Sequence, residues 1–174
     1  MQQKQGQHGF SLVELLIVVA IIGIVAAIAI PNLLASRRAA NEGSAISSLR
    51  TINSSEATYQ SSTGNGNFGS RTELADAQLI DAQLRAGQKS GYQFAVTEVD
   101  QVISATGAVT TLPSYHATAN PITPGAVATQ TGTRRFGTSQ TGVIVGDATV
   151  AELGNPMADT DIATPTGGIK PIGN

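Results

Sequence analysis

An α+β fold, one long N-terminal α-helix packed on a small antiparallel sheet of about four strands, is predicted by three observations. Residues 15–30 form an apolar run without an ionised side chain. Further on, Ile46, Leu49, Ile52 and Tyr59 recur at three, three and seven residues, which draws one apolar stripe along a helix of period ~3.6. After Gly87 the period changes, and Tyr92 to Thr97 alternates with period two, as a half-buried strand does. Packing the stripe against one face of the strands buries both apolar surfaces together.

The first element is a membrane helix. With Pro31 to Ala35 included, the apolar run is long enough at ~1.5 Å rise per residue to cross a hydrocarbon core of ~30 Å. Glu14 interrupts its apolar character near the start. An acidic residue costs roughly 2.5 to 3.5 kcal/mol at the centre of a membrane helix and less toward the interface. Glu14 therefore either sits at headgroup level without a partner or meets a cation. Cleavage after Gly9 would create one, the α-amino group of Phe10, four residues away on the same helix face. That amine could equally reach the Glu14 of a neighbouring copy, and in a medium of low dielectric the pairing would bring two subunits into register.

Ahead of this run, Met1 to Gly9 is a polar, Gln-rich leader carrying Lys4 and His8. An ordinary secretory signal places its small-residue cleavage site after the apolar region; here the hydrophilic leader precedes it. Arg37 and Arg38 follow the span, so the positive-inside rule alone leaves the topology open.

Past Pro31 the helical pattern continues. Phe10 to about Gln60 reads as one helix of roughly 75 Å. Its polar side carries Arg38, Asn41, Glu42, Ser48, Asn53 and Ser62. Pro31 has no N–H for the carbonyl of Ala27 and its ring crowds that turn, so a kink is expected near Gly23 to Pro31. That stretch is either a tolerated kink or a segment that can unwind. Gly64 to Gly69 is turn chemistry that ends the helix. Ser70-Arg71-Thr72-Glu73 then reads as a capping box opening a helix to about Arg85, with Asp81 and Arg85 paired and Gly87 as the stop. Ser114 to Ala119, Thr133 to Thr138 and Thr141 to Val145 are further strands. The expected layout is a cleaved leader at 1–9, the membrane and assembly half of the helix at 10–35, and its amphipathic half at 36–62. A loop and sheet follow at 63–145, then a polar C-terminal loop or tail at 146–174.

Composition narrows the function. The 174 residues carry a net charge of −2, which gives no electrostatic case for nucleic acid. With 4% aromatic residues and no Trp, the core must come from Ala, Val, Ile and Leu. No cysteine means no disulfide and no thiol chemistry. No catalytic constellation stands out: outside the leader His116 is the single histidine, and it lies in a predicted strand without a neighbouring nucleophile and carboxylate. No cofactor is expected. Asp147, Asp159 and Asp161 offer oxygen ligands for calcium but lack a recognised loop spacing, so solvated acids are the plainer reading. Gly64 to Gly69 lacks the lysine of a phosphate loop, Arg134-Arg135 is one dipeptide, and Asn53-Ser54-Ser55 fits a glycosylation pattern but sits in a helix.

The string GFSLVELLIVVAIIGIVAAIAIPNLLA resembles the N-terminus of type IV prepilins and type II secretion pseudopilins, and the likeness extends over about residues 6–60. It implies the pilin fold. It also implies that Gly9 is the last leader residue, that Phe10 becomes the N-methylated first residue of the mature chain, and that Glu14 is the assembly carboxylate. Unwinding between Gly23 and Pro31 during packing is likewise what the resemblance implies. A weaker likeness to the sheet of these proteins lies in Tyr92-Gln93-Phe94, Tyr115 to Ala119, Arg135-Phe136 and Thr141 to Ile144. The absence of cysteine departs from the many pilins that staple a C-terminal loop. The expectation is a structural subunit and not an enzyme, most like a type IV major pilin. Its implied partners are copies of itself, a prepilin peptidase and methyltransferase, an inner-membrane assembly platform and the membrane. The leader would be cytoplasmic, the precursor would span the bacterial inner membrane once, and the product would be a cell-surface filament. One alternative is the major pseudopilin of a type II secretion system, which would be periplasmic. Another is an unpolymerised, membrane-anchored binding module in which Gly9 is not cut; electron conduction is disfavoured by the scarcity of Phe and Tyr.

Overall fold

The computed structural model describes residues 10–124 and 129–172, and divides into two compact units, the chain up to Ser36 and the chain from Arg37 onward. Helix α1, Leu12–Ser61, contributes to both, and its backbone is helical through Gly23 and Pro31. The first unit is the apolar half of α1, long and apolar enough to cross a membrane.

In the second unit α1 carries the buried face on which the domain is built. The short helices α2 (Arg71–Asp76) and α3 (Ala82–Ala86) follow, and then, among the described residues, eight strands. These are β1 (Gln88–Lys89), β2 (Tyr92–Val99), β3 (Val102–Ile103), β4 (Val109–Thr111), β5 (Ser114–Pro121), β6 (Arg135–Ser139), β7 (Ile144–Asp147) and β8 (Lys170–Pro171). A 3-10 turn at Val150–Glu152 and helix α4 (Asp159–Ala163) lie between β7 and β8. The main sheet has the order β1-β2-β5-β6-β7-β8, with every neighbouring pair antiparallel, and β3 and β4 form a separate hairpin. The fold is α+β, a long helix on an antiparallel sheet, as in pilins.

The four expected strands are the four central ones, and β1 and β8 add two-residue edges. Thr141 and Gly142 form the turn into β7 instead of starting the strand, with Gly142 at φ +74°. Leu49 and Ile52 of α1 are fully buried with Phe94, Tyr115, Ala117, Ala119, Phe136 and Ile144 from the sheet, and Leu74 and Leu84 close the cluster.

The core, expected from Ala, Val, Ile and Leu, also holds Phe68, Tyr92, Phe94, Tyr115 and Phe136, because the few aromatics are concentrated inside it. Three further expectations need correction. Glu42 and Ser48, assigned to the polar side of α1, are buried. The buried face follows 42, 45, 49, 52 and 56, alternating steps of three and four, so the helical period holds while two of its positions are glutamates. The segment from Ser70 to Arg85 is two helices and not one. Ser70 does form the capping box with Glu73, but Asp81 caps α3 through the Leu84 N–H, and Arg85 pairs with Asp76 at 2.9 Å. Asp81 takes Lys89 instead, at 2.7 Å. The break lets Leu79 and Ile80 reach the core; Gly87 ends α3 in the left-handed conformation at φ +80°.

The third correction is the C-terminal segment, expected as a polar loop or tail. It packs against the sheet: Leu153, Met157 and Ile162 are buried, the last two with Val145 in a second cluster, and β8 pairs with β7. All residues of β6 and β7 are buried in consequence, since these strands are covered on both faces. Gly137 is a point of close approach, where an added Cβ would stand 2.7 Å from the Ile162 side chain.

Candidate functional site

The site residues read from the N-terminal motif lie in the first unit. Gly9, with the rest of the leader, lies outside the described residues. Phe10 precedes the helix and is 86% exposed. Helix α1 starts one residue after Ser11, whose N–H donates to Glu14 Oε2 at 2.9 Å and whose carbonyl accepts from the Leu15 N–H. Glu14 is thus the third helical residue reaching back to the residue before the helix, the carboxylate half of a capping box. The partial positive charge of a helix N-terminus favours a carboxylate there. This contact holds the Glu14 carboxylate beside the residue that follows Phe10. An ammonium generated at Phe10 would arise one residue from the N–H that Glu14 already accepts.

The rest of the apolar half offers surface and little else. Leu12, Leu16, Ile24 and Leu33 are 77%, 62%, 65% and 68% exposed, and Val18, the most covered large apolar residue between Leu12 and Leu33, is still 47% exposed. A water-soluble monomer does not carry an apolar face of this length. At Pro31 the helix loses a donor, and next to it Asn32 Nδ2 donates to the Ile28 carbonyl at 3.0 Å.

Within the second unit, Glu42, Arg134, Arg135 and Asp147 are bound up in holding the domain together. Glu42 accepts from the Thr133 N–H at 2.7 Å, from Thr133 Oγ1 at 2.6 Å and from Arg134 Nε at 3.0 Å. Burial pushes its carboxyl up, but the bonds from Thr133 and Arg134 outweigh burial and leave it below the usual range. Arg135 and Asp147 are register partners across β6 and β7 and form a buried ion pair at 2.8 Å. The other Asp147 oxygen accepts from the N–H and hydroxyl of Thr149. Here too burial raises the carboxyl and the hydrogen bonds from Thr149 and Arg135 carry it below its ordinary value. Arg134 and Arg135 therefore pair with different acids, Glu42 of α1 and Asp147 of β7.

Asp147 is engaged in this way, Asp159 stands 3.8 Å from His116, and Asp161 is in the first turn of α4. Among the described residues no group of three or more His, Asp or Glu side chains could hold a metal ion. In the Asn53-Ser54-Ser55 pattern, Ser55 is buried and its hydroxyl donates to the Leu79 carbonyl. The residues missed in the sequence are Glu42 and Glu56; the three-four spacing of the buried face was the signal that could have found them.

Comparison with known proteins bears on the N-terminal geometry first. The family described as the prokaryotic N-terminal methylation motif matches residues 4–30. The chain carries an N-terminal methylation motif. It is 68% identical over 34 residues to the type IV wide pilus major component PilA4 of Thermus thermophilus, a match covering 20% of this chain and 26% of that protein. It is 33% identical over 91 residues to the type II secretion system core protein G of Aeromonas hydrophila, covering 52% of this chain and 62% of that protein. The chain thus spans about a quarter of the one relative and less than two thirds of the other. No solved structure matches significantly. These relatives are a pilin and a secretion pseudopilin, and the methylation-motif match at residues 4–30 holds Phe10 and Glu14.

Proposed function

We propose that this chain is a structural subunit, cut after Gly9, N-methylated on Phe10 and polymerised through its apolar N-terminal helix into a type IV pilus-like filament. The observation that carries the reading is the unbroken exposure of large apolar residues from Leu12 to Leu33 behind a glycine, an aromatic and, four residues on, a glutamate. Outside lipid that surface is stable only against other apolar surface, at roughly 25 cal/mol per Å² buried, and the nearest source is the same helix of another copy. Where the contacting faces of such helices differ between neighbours and the rotation does not close a ring, the association grows as a helical filament. Before assembly the same helix would anchor the precursor in the inner membrane, where a prepilin peptidase and methyltransferase would act on the leader. Glu14 would then pair with the new ammonium of Phe10, in its own chain or a neighbour's, and set the register.

A second reading, the pseudopilin of a type II secretion system, is favoured by the longer of the two matches. A free polar tail would have leaned toward a surface filament, but the C-terminal segment is packed on the sheet and gives no such lean. Mass spectrometry of the N-terminal peptide separates the possibilities, using material sheared from the cell surface beside the membrane and periplasmic fractions. N-methylated Phe10 in the sheared material supports the pilus. Methylated Phe10 confined to membrane and periplasm supports the pseudopilin, and an intact leader in every fraction overturns both.

A further inference from the structure

Glu56 lies on the buried face of α1 and is 0% exposed, yet only part of its carboxylate is served. Oε2 accepts from the Gly69 N–H at 2.9 Å, whereas Oε1 is buried without a hydrogen-bond partner. On β5 the Tyr115 hydroxyl is buried and unpartnered as well. The charged groups acting on Glu56 are Glu73 of α2 and Glu98 of β2, both negative, and Tyr59 and Tyr115 are the phenols that feel its charge. Gly69 itself is pinned, since the Tyr59 ring would stand 3.0 Å from a Cβ placed there. A polar cleft of about 280 Å³, lined by Tyr59, Asn67, Phe68, Glu73, Glu98 and Asp100, lies beside the turn at residues 64–70.

An ionised carboxylate needs several donors, and here the structure supplies one. A neutral acid needs less: one oxygen accepts from Gly69 and the other carries the proton. We propose that Glu56 is a proton-operated latch between α1 and the turn at residues 64–70, closed as the neutral acid and loosened when the acid ionises. Water entering through the cleft would then solvate the carboxylate at the expense of the Gly69 contact and of the packing of Phe68. Burial is the chief cause of a carboxyl pushed up to about 7; the Gly69 N–H opposes it, and Glu98 and Glu73 add to it. The native chain therefore holds a proton that the unfolded chain, at about 4.5, has released. Stability falls as pH rises between those two values and levels off above the upper one.

The test uses the full chain in detergent micelles. A carboxyl 13C NMR titration should give Glu56 a midpoint near 7; a midpoint near the ordinary 4.5 overturns the proposal. Urea unfolding supplies the second arm. The wild-type midpoint should drop between about pH 5 and about pH 8, while E56Q, a neutral isostere, should unfold at one midpoint throughout. If E56Q keeps the wild-type slope, another group is responsible and the latch is wrong. The NMR arm decides the matter on wild-type protein even where E56Q fails to fold.

Discussion

The two halves of α1 have opposite chemistry. From Leu12 to Leu33 large apolar side chains face outward on every side. From Arg37 to Ser61 the apolar residues Ala45, Leu49 and Ile52 are inside, and the polar residues on the same face are bonded to loops far away in sequence, Glu42 to Thr133 and Glu56 to Gly69. A helix that is apolar all round must be completed by lipid or by other helices; one with a single buried stripe is completed by its own chain. The contrast assigns the two halves different tasks. The domain is a self-contained fold, and the first half is surface that awaits a partner.

Substitutions can break this contrast, beginning with the largest effect. Asp147→Ala leaves the buried Arg135 guanidinium without its main partner and should destabilise the domain by about 3 to 5 kcal/mol in urea unfolding. Next, Leu49→Ala removes a fully buried side chain and should cost about 2 to 5 kcal/mol, whereas Leu16→Ala should leave domain stability within about 0.5 kcal/mol. Equal losses from the two leucines would abolish the distinction between the halves. Gly137→Ala drives a methyl into Ile162 and should cost about 1 to 3 kcal/mol, with the loss centred on the C-terminal segment in hydrogen exchange. The smallest effect expected is about 1 kcal/mol for Ser70→Ala, which removes the side-chain cap of α2.

Acid should act on the same domain with the opposite sign to Glu56. Glu42 and Asp147 ionise more readily in the folded chain than their ordinary values of 4.5 and 3.8. The stability they contribute is present above those values and is lost as pH falls through the lower folded ones. A stability profile of the full chain should therefore decline on the acid side through these two groups and on the neutral side through Glu56. A profile that rises steadily up to neutral pH would show that the buried carboxylates are assigned the wrong states.

What could be read from sequence was what is local in sequence. The methylation motif matched at residues 4–30 and the apolar run lie within one short stretch, and the Ser70 capping box and the period-two strand at Tyr92 are equally local. Glu42 and Glu56 were not read as buried because their partners, Thr133 and Gly69, are 91 and 13 residues away and residue type argued for solvent, so that only the three-four spacing pointed inward. The C-terminal segment was illegible for a related reason. Leu153, Met157 and Ile162 follow no regular period, and they matter only because β6 and β7 present a second apolar face for them to cover. At Asp81, capping of α3 competed with the four-residue pairing to Arg85, and the cap prevailed.

The chain has no cysteine, so a single introduced one reports on one position alone. Cross-linking of Leu16→Cys beside Ala45→Cys in assembled material is the most direct test that the first half of α1 is completed by other copies. The account predicts cross-linked species through Leu16→Cys in intact filaments and none through Ala45→Cys, which lies inside the domain. Cross-linking through both, or through Ala45→Cys alone, would contradict it.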